Sequence, residues 1–257
     1  MTDDIALLLA MIDDAMSAAA RKSCPKFCGF LSDVQSSAVR NYAASQSFCD
    51  KFGNDARYCF FGGYDDAERL IFAALPDWAS GADDIDFPVT ALEFSHKAEF
   101  SLAHKDYLGS LMALGIERDR VGDIIVREDG AVVFLHDSIA DFAVSQIEKI
   151  GRVGVKTQVV EPNDLIIEHK YREISDSIAS ARLDCIVSSL ARCSRGAANE
   201  LIGAKTVFIN GIECTDAAKR VLGKDVITIR RKGKFIIDSV SDKTKKGRTV
   251  LRARQKL

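Results

Sequence analysis

The chain has 257 residues, 47% hydrophobic and 28% charged, enough for one large domain or two to three small ones. Its formal net charge of −2 hides a split: residues 181–257 carry 18 Lys and Arg against 7 Asp and Glu (+11), whereas residues 1–180 carry 17 against 30 (−13). A basic C-terminal third points to a polyanion partner there, and the acidic remainder excludes a molecule coated in nucleic acid over its whole surface.

Near the N terminus, the longest apolar run, Ile5–Ile12, has eight residues, too few to span a bilayer. It follows Asp3-Asp4 and lacks the cationic flank of a secretory signal, so a cytoplasmic protein with no membrane segment is expected. Ile5, Leu8, Leu9, Ile12 and Met16 form the buried stripe of a helix over 3–21. Pro25 and Gly29 then suggest that Cys24–Phe30 is a loop. Ser32-Asp33-Val34-Gln35 is a capping box, which predicts a helix to about Gln46. Arg57–Phe61 reads as a short strand ending in Gly62-Gly63, a tight strand-to-helix turn. Asp65–Glu68 would cap a helix running through Leu75 and stopped by Pro76. Residues 1–80 thus read as a small α+β domain.

Residues 81–165 give the clearest topology. Strands are expected at Val89–Phe94, Asp123–Arg127, Ala131–Leu135 and Val153–Val160, and helices at Leu102–Leu114 and Ser138–Ile150. Asp129-Gly130 marks a hairpin between the middle two strands. The order βαββαβ is a split βαβ, ferredoxin-like and shared with RNA-recognition motifs. Those motifs stack bases on aromatics of their central strands, and here only Phe134 could do so. A structural or protein-facing module is therefore expected.

Residues 166–180 read as a linker with one extended segment, Leu165–Tyr171, leading to a domain at 181–257. Leu183, Ile186, Val187 and Leu190 define one short helix; Ser194 caps a second carrying Ala197, Ala198, Leu201 and Ile202. A strand follows at Thr206–Asn210, and Asn210-Gly211 is a type I′ hairpin signal. Val226–Arg230 and Phe235–Val240 should pair across Arg231-Lys232-Gly233-Lys234. The stretch from Lys243 to Lys256 is basic, has little to bury and is expected to stay mobile until bound.

Two small helices offering arginines beside a strand suit a reader of the RNA backbone. Arg182, Arg192, Arg195 and Lys205 are the candidate phosphate contacts, with Ser194 and Asn199 bonding to sugar or phosphate. Arg231, Lys232, Lys234, Lys245, Lys246 and Arg248 would supply a second, less ordered contact. Asp184 reads as first-turn support for its helix. The seven cysteines are odd in number and form no C-x-x-C pair; Cys24 and Cys28 alone make a weak zinc pattern, so reduced thiols and no metal are expected. No phosphate-binding glycine loop or nucleophile elbow is present, and four dispersed histidines suggest no catalytic centre and no cofactor.

Arg182-Leu183-Asp184, Ser194-Arg195 with Ala198, and Ile202, Val207 and Asn210-Gly211 occur in an order that resembles the S4 domain, over roughly Ala181–Val240. Departures fall at turns: Ala204 replaces a usual glycine, and Gly223-Lys224-Asp225 splits a usual Gly-Asp. Phe60–Leu70 (FFGGYDDAERL), Leu102–Val126 (LAHKDYLGSLMALGIERDRVGDIIV) and Thr244–Arg248 (TKKGR) extend the likeness to the bacterial YlmH-type RNA-binding proteins, from about Pro25 to Arg248. That resemblance implies an N-terminal domain, an RRM-like middle domain and a C-terminal S4 module. It also implies a cytoplasmic, non-enzymatic factor that binds ribosomal or transfer RNA on the large subunit in ribosome-associated quality control; a monomer is expected. Two alternatives remain. A pseudouridine-synthase-like enzyme would place its S4 module first and its catalytic Asp in a Gly-Arg-Leu-Asp context. A protein adaptor would bind RNA only incidentally.

Overall fold

A computed structural model describes residues 2–97, 99–161, 171–243 and 248–256. They form two compact units, Met1–Ile167 and Glu168–Leu257. Among the described residues no helix is long and apolar enough to cross a membrane.

The first unit opens with α1 (Thr2–Lys22), β1 (Lys26–Leu31), α2 (Asp33–Ala43), α3 (Gln46–Phe52), β2 (Tyr58–Phe61) and β3 (Leu70–Ala74). The capping box forms as expected: Ser32 Oγ accepts from the Gln35 N–H, and Gln35 Oε1 accepts from the Ser32 N–H. Leu8, Ile12 and Met16 of α1 bury against Val39, Phe48 and Phe72. Two expectations fail. The segment around Pro25 and Gly29 is a strand, β1, in which Gly29 permits close approach: a Cβ there would lie 2.8 Å from the Asp119 carbonyl oxygen. The helix expected through Leu75 is absent, because Leu70–Ala74 is the central strand of an antiparallel sheet ordered β1-β3-β2. A five-residue apolar run buried on both faces has no period to separate strand from helix.

The chain continues with β4 (Val89–Ser95), α4 (His104–Ala113), β5 (Val121–Arg127), β6 (Gly130–His136), α5 (Asp137–Gln146), β7 (Lys149–Ile150), β8 (Val153–Gly154) and β9 (Lys156–Val160). The four main strands pair antiparallel in the order β5-β6-β4-β9, which realises the βαββαβ pattern. The second helix stops four residues early, and the little β7–β8 ribbon turns at Gly151, φ 59°. One sheet face buries Leu92, Phe94, Val133 and Leu135 beneath Tyr107 and Leu111 of α4 and Ala143 of α5.

The other face packs on the three-stranded sheet. Ala91, Val132 and Phe134 meet Phe30 and Ile71, and the Phe134 ring stacks on Tyr64 at 4.8 Å. Gly63, at φ 100°, lies so close that a Cβ would come within 2.5 Å of the Phe134 ring; it serves packing and does not lead into a helix. Asp123 closes the joint by accepting from Tyr64 Oη (2.7 Å) and from the Glu68 and Arg69 backbone N–H groups (2.6 and 3.1 Å). Arg69 donates to the carbonyls of Val121, Phe30 and Arg118, and burial lowers its pKa to about 10. Residues read as two separate domains, 1–80 and 81–165, thus share one interior.

The second unit contains β10 (Tyr171–Ile178), α6 (Leu183–Leu190), α7 (Arg195–Gly203), β11 (Val207–Ile209), β12 (Ile212–Glu213), β13 (Val226–Ile229), β14 (Gly233–Lys243) and β15 (Thr249–Lys256). All six strands pair antiparallel, in the order β10-β15-β14-β13-β11-β12. Both hairpins expected at Asn210-Gly211 and Arg231–Lys234 form, the first with φ of 51° and 77° as a type I′ turn requires. Two readings are corrected. The linker at 166–180 gives way to β10 from Tyr171 onward; the rest of its expected extended segment lies outside the described residues. The basic stretch expected to be mobile is, from Thr249 to Lys256, an interior strand with Leu251 and Ala253 buried. Its charges at Arg252, Arg254 and Lys256 alternate with that apolar face and obscured it.

Phe134→Ala should cost about 3–5 kcal/mol in a urea titration, the usual penalty for truncating a buried Phe. Ending the chain after Arg248 should abolish cooperative unfolding of the second unit in calorimetry. Removing a mobile tail would leave that transition unchanged.

Candidate nucleic-acid interface

Two turns of helix cannot fix long cationic side chains by themselves, and the second unit does so with one buried acid. Asp184, in the first turn of α6, is 2% exposed. Its Oδ2 accepts from Arg195 Nη2 and Nε at 2.7 and 3.0 Å, and from Arg182 Nη2 at 3.0 Å; Oδ1 takes Arg182 Nε at 3.3 Å. The arginines keep 44% and 55% of their side-chain surface in solvent. Burial alone would push the Asp184 carboxyl up, but hydrogen bonds from Arg182 and Arg195 outweigh it and hold the group well below the usual carboxylate range. Arg182 and Arg195, two of the candidate phosphate contacts, are oriented by an ionised carboxylate. The clue lay in helical spacing: Asp184 falls three and seven residues before Val187 and Ala191, both buried.

The helix ends place two further cations. After α6, the Arg192 N–H donates to Ser189 O and the Cys193 N–H to Ser188 O, a Schellman arrangement that puts Arg192 in the left-handed position at φ 51°. After α7, the Lys205 N–H donates to Ile202 O and the Thr206 N–H to Leu201 O, with Lys205 at φ 60°. Glycine is the usual occupant of both positions, because a Cβ costs about 1–2 kcal/mol there. Ser194 caps α7 as expected, accepting from the Ala197 N–H at 3.2 Å.

An open cleft of about 530 Å³ brings together Arg192, Ser194, Arg195 and Arg248. Arg248 arrives from far along the chain, where it opens onto β15 and donates to the Ser177 carbonyl at 2.6 Å. Asn199 is exposed one turn along α7 from Arg195. Lys205 lies elsewhere, ion-paired with Glu213 at 3.4 Å. It leads into β11 beside the turn after β13, since the Arg230 N–H donates to Thr206 O at 2.9 Å. Exposed Arg231, at φ 64°, and Lys232 belong to that second basic group, with half-buried Lys234 following. Lys245 and Lys246 lie outside the described residues. Sequence reasoning missed Asp176, Ser188 and Ser189 on the cleft wall, which only the path of β10 brings to α6. Among the described residues no group of three or more His, Cys, Asp or Glu converges to hold a metal ion.

Fold and cleft define a class: a mixed α/β protein whose basic second unit presents an arginine-lined cleft. Residues 82–164 match a family model described as "Putative RNA-binding domain in YlmH". The chain is 31% identical over 194 residues to the "Ribosome-associated protein quality control protein P2" of Bacillus subtilis (strain 168), covering 75% of each chain. The chain belongs to the YlmH family. A solved structure, "Cell division protein ylmH from Streptococcus pneumoniae", aligns with a TM-score of 0.47 and 19% identity, covering 65% of this chain and 92% of that one.

Asp184→Asn should lower stability by about 1–3 kcal/mol near neutral pH, measured by chemical unfolding. The folded-state pKa of Asp184 is depressed, so its contribution is complete above the unfolded value of about 3.9 and declines as pH falls toward the lower folded value. The gap between wild type and variant should therefore close below about pH 4.

Proposed function

We propose that this protein is a non-catalytic, cytoplasmic RNA-binding factor that acts as a monomer on the large ribosomal subunit. In this reading residues 181–257 are an S4 module and residues 81–165 an RRM-like module. The RNA is structured ribosomal or transfer RNA, gripped through its phosphates, and the setting is ribosome-associated quality control. The name of the Bacillus subtilis relative and the family description support the ribosomal and RNA parts of the reading.

One observation carries the site assignment. Arg192 occupies a left-handed cap where glycine would fold better, and its side chain lines the same cleft as Arg195 and Arg248. A strained cation converging with two others on one groove is a reason to look for an anionic ligand there. Lys205 and Arg231 repeat the pattern in the second basic group.

The family description favours a second location, within residues 82–164. That segment holds 16 Asp and Glu against 8 Lys and Arg, and the aromatic face an RRM would use is packed against Phe30, Ile71 and Tyr64. RNA contact there would have to avoid the sheet face, so the second unit is the favoured site.

The pair Arg192→Gly and Lys205→Gly tests this. Each relieves a left-handed backbone, so thermal stability should hold or rise, while affinity for a ribosomal RNA stem-loop should fall and the salt slope flatten by about one unit per lost contact. For about six neutralised phosphates the wild-type log–log slope should be roughly −4 to −5. Unchanged RNA affinity in both variants, or a slope near zero, would sink the proposal.

A further inference from the structure

Resting on that reading, we infer that the cleft between β10 and α6 recognises the ribose 2′-hydroxyl of the bound strand through Asp176 and Ser189, and so separates RNA from DNA. A groove built only to hold phosphate would contain no carboxylate, because that charge opposes the ligand. This one does. Asp176 lines it together with Arg192, Arg195 and Arg248. Among the described residues Asp176 has no cation within ion-pair distance; instead Oδ2 accepts from Ser189 Oγ at 2.6 Å and Oδ1 from the Ser177 N–H at 2.7 Å.

The direction of those bonds sets what the wall can take. A carboxylate oxygen retains accepting capacity after one hydrogen bond, and the Ser189 hydroxyl, its proton committed to Asp176, is left with lone pairs only. Both groups are therefore acceptors. They disfavour a phosphate oxygen and favour a donor. A sugar-phosphate backbone offers one such donor beside its phosphates, the 2′-hydroxyl, which DNA lacks. Arg248 fixes the spacing, because its bond to the Ser177 carbonyl sets a guanidinium one residue from the carboxylate. One cation and one acceptor pair thus adjoin in the cleft, as a phosphate and a sugar adjoin in a strand.

The test uses the full chain and one stem-loop made with ribose, with 2′-fluoro sugars that keep the A-form but lack the donor, and with 2′-deoxy sugars. Binding is followed by fluorescence anisotropy at fixed salt. Wild type should bind the ribose form about tenfold more tightly than either analogue, the scale of one hydrogen bond to a charged acceptor. Asp176→Ala should bind all three alike, its affinity for the analogues rising as the opposing charge goes. Asp176→Asn keeps the shape with an uncharged acceptor and should narrow the ratio, which covers the case in which the alanine variant unfolds. Equal wild-type affinity for ribose and 2′-fluoro forms, or an undiminished ratio in both variants, overturns this inference while leaving the phosphate reading intact. Failure of wild type to bind any of the three overturns both.

Discussion

A carboxylate taken out of water must be matched, and the way Asp184 is matched governs the second unit. Its two oxygens receive four donor contacts from Arg182, at the entry to α6, and Arg195, at the start of α7. One buried charge thereby joins the starts of two short helices, which also share a core through Leu183, Ile186, Ala198 and Ile202. The same contacts spread each guanidinium in a chosen plane while leaving its outer edge wet. Stability and presentation come from a single group. That is economical in a unit of about ninety residues, whose interior is small for the surface it must hold.

Much of this architecture was readable from the residues. The capping box at Ser32, the βαββαβ order, the Ser194 cap and both C-terminal hairpins each rest on local chemistry, and local chemistry survives tertiary folding. The failures share a cause. Leu70–Ala74 and Lys26–Leu31 become strands because of partners across a sheet, and neither has a period that reveals them. Thr249–Lys256 carries an alternating pattern, but three of its eight residues are cationic, and that composition masks the spacing.

The site divides along the same line. The identity of the cations at 182, 192, 195 and 205 was legible, since helix faces and turns display them. Their grouping was not. Arg248 and Asp176 reach the cleft only through the pairing of β10 with β15, a contact between segments some seventy residues apart. The role of Asp184 was half legible: a first-turn acid is expected there, whereas its burial follows from its spacing to Val187 and Ala191. In the first unit, the scarcity of aromatics on the middle sheet signalled that bases would not stack there. The reason, a second sheet laid over that face, depends on Tyr64 and Gly63, whose roles a linear reading could not assign.

The position of β15 bears on how the protein is made. The strand lies between β14 and β10, and β10 has no other ladder neighbour among the described strands. During translation β10 emerges early and must wait while some seventy residues are polymerised and cleared before it can dock. Until then Asp176 and Arg248 stand apart, and the cleft is incomplete. Before β15 docks, the groove lacks the cation that leads into that strand.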